Sequence, residues 1–459
     1  MVDMSKGQWA QPCNKPHFPQ LYLETYGCQM NVADSKIVVS IMQENGYAVT
    51  QEIRQADIIL INTCSVRENA ERRIWNRLAA LKKTKEKKPD LLVGIIGCMA
   101  ERLKEKLLED EAGVDLVVGP DAYRDLPHLI STALTGQKAV NVMLSREEMY
   151  GDISPVYQDT QKVSAFVTIM RGCNNRCSYC VVPFVRGIER SKDPEMILAD
   201  VQRLSRLGFK EVTLIGQNVD SYRWGNRGRK SSLDFARLLD AVAASVPNLR
   251  IRFSTSHPKD MSDAVLHTMA THSNICKHIH LPVQSGSTRI LKLMNRGYTR
   301  EWYMDRISAI RSILSECSVT TDIIAGFCTE TEKDHQDTLS LMKWTGFDFA
   351  YMFKYSERPG TKAASDLEDD VPEAVKGSRL NEIITLQNSL SVKSKSKDLN
   401  RVVEVLAERR SKRSEKDLFG RTSQNKVVVF PKGIHSIGDL VKVKINAHTA
   451  ATLIGEAQE

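Results

Sequence analysis

The sequence predicts a multidomain α/β protein: an N-terminal parallel α/β sheet domain, a central partial (β/α)6 barrel and a small antiparallel β barrel at the C-terminus. Three observations predict it. An apolar run ending in a cysteine, then a helical stretch, occurs three times within residues 1–135. Six apolar runs, each followed by a polar Gly- or Ser-containing segment, alternate with amphipathic stretches over residues 163–385. Short β-like runs punctuated by turn signals follow residue 386. The boundaries read as a disordered arm (1–18), the first domain (19–137), a connection (138–160), the barrel (161–389) and the terminal module (390–459).

A chain of 459 residues accommodates two to four domains. With 42% hydrophobic and 26% charged residues it has an ordinary globular composition. No apolar run approaches the ~20 residues of a membrane span. The N-terminus has neither a signal-peptide core nor the Arg-rich character of a transit peptide. A cytoplasmic protein that does not engage membranes is therefore expected, with a monomer as the default. In a reducing compartment, ten cysteines point to metal ligands rather than disulfides. The net charge of +8 is mild. The lysine runs at Lys82–Lys88 and Lys393–Lys397 read as solvated faces, with a polyanionic partner as the alternative.

In the first domain the apolar runs are Leu21–Gly27 before Cys28, Ile58–Thr63 before Cys64, and Leu91–Gly97 before Cys98. The cysteines are 36 and 34 residues apart, one βα unit each. Strand–helix–strand crossovers make parallel strands, whose C-terminal ends share one edge of the sheet. Three cysteines distant in sequence are thus predicted to converge. The alternative is three buried structural thiols.

The barrel strands are read at Ala165–Met170, Glu211–Ile215, Arg250–Ser254, His278–Val283, Thr320–Ala325 and Phe347–Tyr355. Helices such as Pro194–Leu207 and Glu301–Ser315 lie between them. The segments RGCNNRCSYC, GQNV, STSHP, QSGS, GFCTET and YSERPGT follow the strands, where barrel chemistry sits. Any one of them alone would read as a turn. In the terminal module, runs at Val402–Leu406, Lys426–Phe430 and Asp439–Ile445 read as strands, with turn signals at Phe419–Gly420 and Pro431–Gly433.

Cys173, Cys177 and Cys180 form a CxxxCxxC loop. Thiolates are soft ligands, suited to iron–sulfur clusters and zinc. Structural zinc takes four protein ligands, and no fourth lies nearby. A 4Fe–4S cluster on three cysteines leaves one iron open to chelate the amino and carboxylate groups of S-adenosylmethionine, and reductive cleavage of that sulfonium yields a 5′-deoxyadenosyl radical. The hard chemistry is then the cofactor's.

This loop at the mouth of a βα barrel resembles the radical S-adenosylmethionine superfamily, and the wider motif set resembles its methylthiotransferase family. The motifs are Tyr26–Asn31 (YGCQMN), Asn62–Glu68 (NTCSVRE), Gly97–Ala100 (GCMA), Arg171–Cys180 and Gly216–Val219 (GQNV), followed by Leu281–Ser287 (LPVQSGS), Tyr355–Thr361 (YSERPGT) and Gly420–Asn425 (GRTSQN). The resemblance covers about residues 20–455. NTCSVRE, GCMAER and RGCNNRCSYCVVP are most similar to the branch that places a methylthio group on carbon 2 of N6-isopentenyladenosine at tRNA position 37.

The resemblance implies a second 4Fe–4S cluster on Cys28, Cys64 and Cys98, and a C-terminal TRAM module that binds tRNA at the anticodon stem-loop. It implies two S-adenosylmethionines, one a methyl donor and one the radical source, with an unidentified electron donor and sulfur source. Gly216 and Gln217 would contact the methionine moiety; Ser254, Gln284 and Ser285 the ribose or carboxylate; and the Asp322–Phe327 strand end, with Gly326, the adenine. For each of these the alternative is a turn or a structural hydrogen bond. Arg186 is a candidate for a carboxylate or phosphate, and Arg421, Gln424 and Asn425 offer donors to RNA. Cys328-Thr329 stands where many relatives carry Pro-Gly, a departure from the family's pattern in that loop. Cys13, Cys276 and Cys317 read as ordinary thiols. Alternative substrates are threonylcarbamoyladenosine in tRNA or a ribosomal-protein aspartate; the alternative class is a zinc-holding RNA-binding protein without catalysis.

Overall fold

The computed structural model describes residues 18–65, 68–109, 113–157, 162–225 and 232–458. The expected N-terminal arm and Cys13 lie outside them, apart from Phe18. The N-terminal domain is a parallel sheet of β1 (Gln20–Thr25), β2 (Ala48–Val49), β3 (Ile58–Thr63), β4 (Leu92–Gly97), β5 (Leu116–Val118) and β6 (Ala139–Asn141), in the order β2-β1-β3-β4-β5-β6. The central strands β3 and β4 are buried at every position, which is why they read as unbroken apolar runs. The edge strands β2 and β6 are two and three residues long, too short to leave a pattern. The stretch 138–160, expected to be connection alone, therefore contributes the sixth strand.

The barrel strands are β7 (Ser164–Thr168), with a short hairpin β8 (Met170–Arg171) and β9 (Arg190–Ser191) bracketing the cysteine loop, then β10 (Glu211–Ile215). A second hairpin, β11 (Arg223–Trp224) and β12 (Leu233–Asp234), precedes β13 (Arg250–Phe253), β14 (His278–His280), β15 (Ser318–Ala325) and β16 (Phe349–Lys354). The strands form two parallel sheets, β13-β10-β7 and β14-β15-β16, joined by one bridge between Ile251 and Ile275. All six expected strands are present, and one apolar core fills their interior and the helices around them.

The helix Glu373–Ser396 runs unbroken through position 389/390, the expected boundary, and carries the chain into the terminal module. That module is a closed barrel of β17 (Val402–Arg410), β18 (Asp417–Thr422), β19 (Val427–Pro431), β20 (Leu440–His448) and β21 (Leu453–Ala457). It is antiparallel except at β19–β21, which is parallel. Phe419–Gly420, expected to be a turn, lies within β18. A Cβ on Gly420 would sit 2.1 Å from the Leu406 carbonyl oxygen, so glycine lets β17 and β18 close on each other.

The turn Thr422–Asn425 plugs the base of the central barrel, where its strands begin. Arg252 donates to the carbonyls of Thr422 (2.6 Å) and Ser423 (3.1 Å), Lys277 N–H to Ser423 Oγ (2.9 Å), and Ser318 Oγ to the Gln424 carbonyl (2.6 Å). Buried Glu211 accepts from Arg252 (2.8 Å) and Arg421 (3.4 Å). Among the described residues no helix is long and apolar enough to cross a membrane. Arg252→Met is expected to lower protection of the 421–425 amides in hydrogen exchange by about 3 kcal/mol, because a buried carboxylate loses its best partner.

Candidate cluster sites

Cys28, Cys64 and Cys98 follow β1, β3 and β4 on one edge of the parallel sheet, as expected. Cys28 is the N-cap of the helix Gln29–Glu44, and Cys98 opens the helix Cys98–Leu103. A buried amide pair fastens two of these loops together. Asn31 Nδ2 donates to Asn62 Oδ1 (2.9 Å) and to the Thr63 carbonyl (3.0 Å), while Asn62 Nδ2 returns a bond to the Asn31 carbonyl (2.9 Å). Thr63 Oγ1 ties this pair to the Ile96 carbonyl, two residues before Cys98 (2.8 Å). Space is tight: a Cβ on Gly27 would lie 2.6 Å from Cys64 Cβ, and one on Gly97 (φ +91°) 2.5 Å from Asn62 Oδ1. The Cys28 thiol is pulled down to about 6, chiefly by its hydrogen bond with Cys64 and with help from the Arg186 guanidinium. Three thiols held on separate loops by rigid polar contacts suit a cluster, whose ligands bind three different irons. Among the described residues no three His, Cys, Asp or Glu side chains gather closely enough for a single metal ion.

Cys173, Cys177 and Cys180 occupy the loop between β8 and the helix Val182–Arg186. The loop is anchored to the far side of the barrel. Ser178 N–H and Oγ donate to the carbonyls of Met294 (3.0 Å) and Leu293 (2.8 Å), and Asn295 Nδ2 donates to the Arg176 carbonyl (2.7 Å). Buried Arg296 donates to Cys177 Sγ (3.2 Å) and to the Pro282 carbonyl (2.8 Å). Burial pushes the thiols of Cys173 and Cys180 up, to about 11 and about 12, so in the cluster-free protein they are neutral at physiological pH.

Beside this loop, at the ends of β10 and β13, lies a row of buried atoms without partners among the described residues: Gln217 Oε1, Asn218 Oδ1, Asp220 Oδ1 and His257 Nε2. Asp260 accepts from both Asn218 (2.7 Å) and Asn175 of the cysteine loop (3.5 Å), which ties the row to the cluster site. His257 Nδ1 accepts from Lys259 N–H (3.3 Å), and burial with the nearby Arg296 charge holds its pKa down to about 2. The ring is neutral and carries its proton on Nε2. A free donor among free acceptors fits the ammonium, carboxylate and base of S-adenosylmethionine.

The remaining expected residues divide. Gly216 and Gln217 directly follow β10; a Cβ on Gly216 would strike Met170 Cγ at 2.3 Å. Ser254 follows β13, half-buried. Gln284 bridges to Ile323 in a left-handed conformation (φ 71°). Ser285 is fully enclosed, and its Oγ accepts from Ser287 N–H (3.2 Å), so it shapes the loop rather than lining it. Gly326 admits the side chain of Lys376, 2.3 Å from where a Cβ would be, and its N–H is held by Glu330 (2.9 Å). Cys328 packs among Phe327, Tyr355 and Met294. Arg421 and Asn425, expected to meet RNA, bond each other (2.9 Å), and Arg421 reaches Glu408 (2.6 Å) and Glu211 in the barrel floor.

Arg186, expected on a substrate carboxylate or phosphate, is also enclosed. Its anion is internal: Nη1 donates to Asp34 Oδ2 (2.6 Å) and Nε to Cys98 Sγ (3.0 Å). Arg171 donates twice to Asp34 Oδ1 (3.0 and 2.9 Å), and Arg190 forks onto Asp121 (2.9 and 3.1 Å). These pairs join the N-terminal domain to the barrel. Cys98 also packs against Val181 and Val185, directly after Cys180, so the two cysteine sites are neighbours. Asn31, Asn62, Arg171, Asn218, His257 and Arg296 were missed by sequence reasoning; all but His257 and Arg296 lie inside the motifs quoted for the family, and only their partners reveal what they do.

Two outcomes follow for this region. Asp34→Ala leaves two enclosed guanidiniums short of an anion and is expected to cost about 3–5 kcal/mol in chemical denaturation. Burial raises the Glu101 carboxyl from 4.5 to about 7, and its Oε2 lacks a partner among the described residues. The folded state therefore binds this proton more tightly than the unfolded chain does. Stability contributed below pH 4.5 is lost as the pH rises toward 7. Glu101→Gln is expected to remove that loss, gaining on the order of 1–2 kcal/mol on wild type between pH 5 and 7.5.

Known proteins resemble this chain over its whole length. Residues 20–119 match the family described as "Uncharacterized protein family UPF0004", 167–342 the radical SAM superfamily, and 397–457 the TRAM domain. A tRNA-2-methylthio-N(6)-dimethylallyladenosine synthase of Parabacteroides distasonis is 54% identical over 459 residues, covering 100% of both chains. One from Bacteroides fragilis is 56% identical, covering 95% of each chain, and one from Porphyromonas gingivalis 53%, covering 96% of this chain and 95% of its own. Among solved structures, the radical S-adenosylmethionine methyltransferase TsrM of Kitasatospora setae shares the fold with a TM-score of 0.57 at 12% identity, covering 75% of each chain. The cobalamin-dependent radical enzyme OxsB does so with a TM-score of 0.53 at 12% identity, over 81% of this chain and 56% of its own. With full-length relatives at that identity, and both cysteine triads in place, the chain belongs to the tRNA-2-methylthio-N(6)-dimethylallyladenosine synthase family of radical S-adenosylmethionine methylthiotransferases.

Proposed function

We propose that this enzyme converts N6-dimethylallyladenosine at tRNA position 37, within the anticodon stem-loop, to its 2-methylthio derivative, in the cytoplasm, with two S-adenosylmethionines consumed per base. The carrying observation is the packing of the Cys98 site against the helix that follows Cys180, beneath a full-length likeness to synthases of that name. As a member of this family the enzyme uses two 4Fe–4S clusters and S-adenosylmethionine. When bound, these supply an electron, a sulfur atom, a methyl group and a radical able to activate an unreactive carbon–hydrogen bond.

The chain's own part is to bind, orient and exclude. Cys173, Cys177 and Cys180 would hold one cluster, and Cys28, Cys64 and Cys98 the other. Gln217, Asn218, Asp220 and neutral His257 would hold S-adenosylmethionine beside the first cluster, with Ser254 and Gln284 lining the adjoining strand ends. The amide pair Asn31–Asn62 fixes the second triad, and the Asp34 ion pairs fix the two triads relative to one another. A base flipped from a single-stranded loop costs less to present there than one drawn from a duplex.

In the terminal module the RNA contact shifts from Arg421 and Asn425 to the other end of β18. Arg410 at the end of β17 and Lys412, Arg413 and Lys416 in the turn to β18 are exposed, and among the described residues no barrel contact occupies the three lysine and arginine tips beyond Arg410. Replacing Lys412, Arg413 and Lys416 by Ala is expected to reduce the slope of log affinity for tRNA against log salt by about 2–3, whereas Arg421→Ala should leave that slope unchanged.

The activity is tested by nucleoside mass spectrometry of tRNA from a strain lacking its own synthase and expressing this chain. Appearance of 2-methylthio-N6-dimethylallyladenosine is expected; persistence of the unthiolated nucleoside would refute the assignment. Anaerobically reconstituted protein should carry about eight irons with matching sulfide, falling to about four in the Cys173/Cys177/Cys180→Ala variant.

A further inference from the structure

The seam between the domains carries unbalanced charge. Among the described residues, Arg171, Arg186 and Arg190 meet only two carboxylates there, Asp34 and Asp121. All five side chains are nearly or fully enclosed. An enclosed positive charge in excess calls for an anion close by. The nearest candidate is the triad Cys28, Cys64 and Cys98, since Arg186 Nε already donates to Cys98 Sγ at 3.0 Å. An oxidised cubane core on three thiolates is a monoanion and would balance the seam.

Arg186 has one more feature that the seam does not use. Its Nη2 is buried and has no partner among the described residues. Nη1 is fixed by Asp34, so the guanidinium cannot turn away, and the planar fork keeps Nε and Nη2 in set directions. Asp34 itself is held by two bonds from Arg171, which makes the placement of Arg186 rigid.

We infer that Arg186, a residue of the radical barrel, is the positioning and potential-setting residue of the auxiliary cluster in the other domain: it hydrogen-bonds the Cys98 thiolate and offers its free Nη2–H to the sulfur of that cluster. Hydrogen bonds and positive charge at cluster sulfur stabilise the reduced, more negative state and raise the reduction potential. The auxiliary cluster thus acquires its working potential only when the two domains are docked. This inference rests on the two-cluster reading above.

The test uses the full chain with Cys173, Cys177 and Cys180 changed to Ala, so that only the auxiliary cluster is loaded. Its midpoint potential is read by electron paramagnetic resonance in a redox titration, beside Arg186→Gln and Arg186→Lys. In Arg186→Gln the potential is expected to fall by at least about 59 mV, a tenfold change in a one-electron equilibrium. Arg186→Lys keeps the charge but not the fork and should fall by less. Unchanged potential in an Arg186→Gln variant that retains its four or so irons would overturn the inference. Should that variant fail to hold iron, the unsubstituted Arg186 protein decides alone. Grown on guanidino-15N-arginine, its reduced auxiliary cluster should show a nitrogen hyperfine coupling, and absence of that coupling would overturn the inference. Iron missing from the Arg186-containing protein itself would instead sink the two-cluster reading.

Discussion

The carboxylate of Asp34 lies enclosed at the junction of two domains with two guanidiniums upon it. It sits on the helix that Cys28 caps, while both guanidiniums belong to the hairpin and helix that bracket the radical loop. With the Arg190–Asp121 pair, this carboxylate therefore fixes the position of one cysteine triad against the other. Apolar contact alone, as between Cys98 and Val181, would permit sliding; a forked, charge-assisted contact does not. For a reaction whose parts are divided between domains, such stiffness matters more than the net stability of the ion pairs, which desolvation keeps small.

The chemistry is distributed the same way. Each cysteine triad is met by an arginine from another segment: Arg186 on Cys98 and Arg296 on Cys177. The orphaned atoms at Gln217, Asn218 and His257 lie where the parallel strands end, the edge at which open α/β and barrel sheets leave their polar loops. Strand direction thus brings the parts to the same edge, and the buried charges then hold them there.

Much of this was legible in the sequence, for a physical reason. Strands buried on both faces, such as β3 and β4, write their boundaries as unbroken apolar runs, and the cysteines at their ends inherit that clarity. The two-residue β2 and three-residue β6 write nothing, because too few side chains alternate. β18 was obscured by Gly420, a residue that usually marks a turn but here permits a close backbone approach. The arginines were the hardest to read. Arg186, Arg421 and Arg171 look alike in sequence, as free cations available to a polyanion. Only the fold reveals that Asp34 and Glu211, far away along the chain, already hold them.

The Thr422–Asn425 turn seated under the central barrel gives the terminal module a second character. The six strands form two three-stranded sheets rather than one closed cylinder. The module is the stopper at their base. A chain shorn of its last sixty or so residues would leave the enclosed side chains of Glu211, Arg250 and Arg252 without the carbonyls and the Arg421 guanidinium that now meet them. The small barrel is thus part of the architecture of the central one, and its folding and that of the barrel base are coupled.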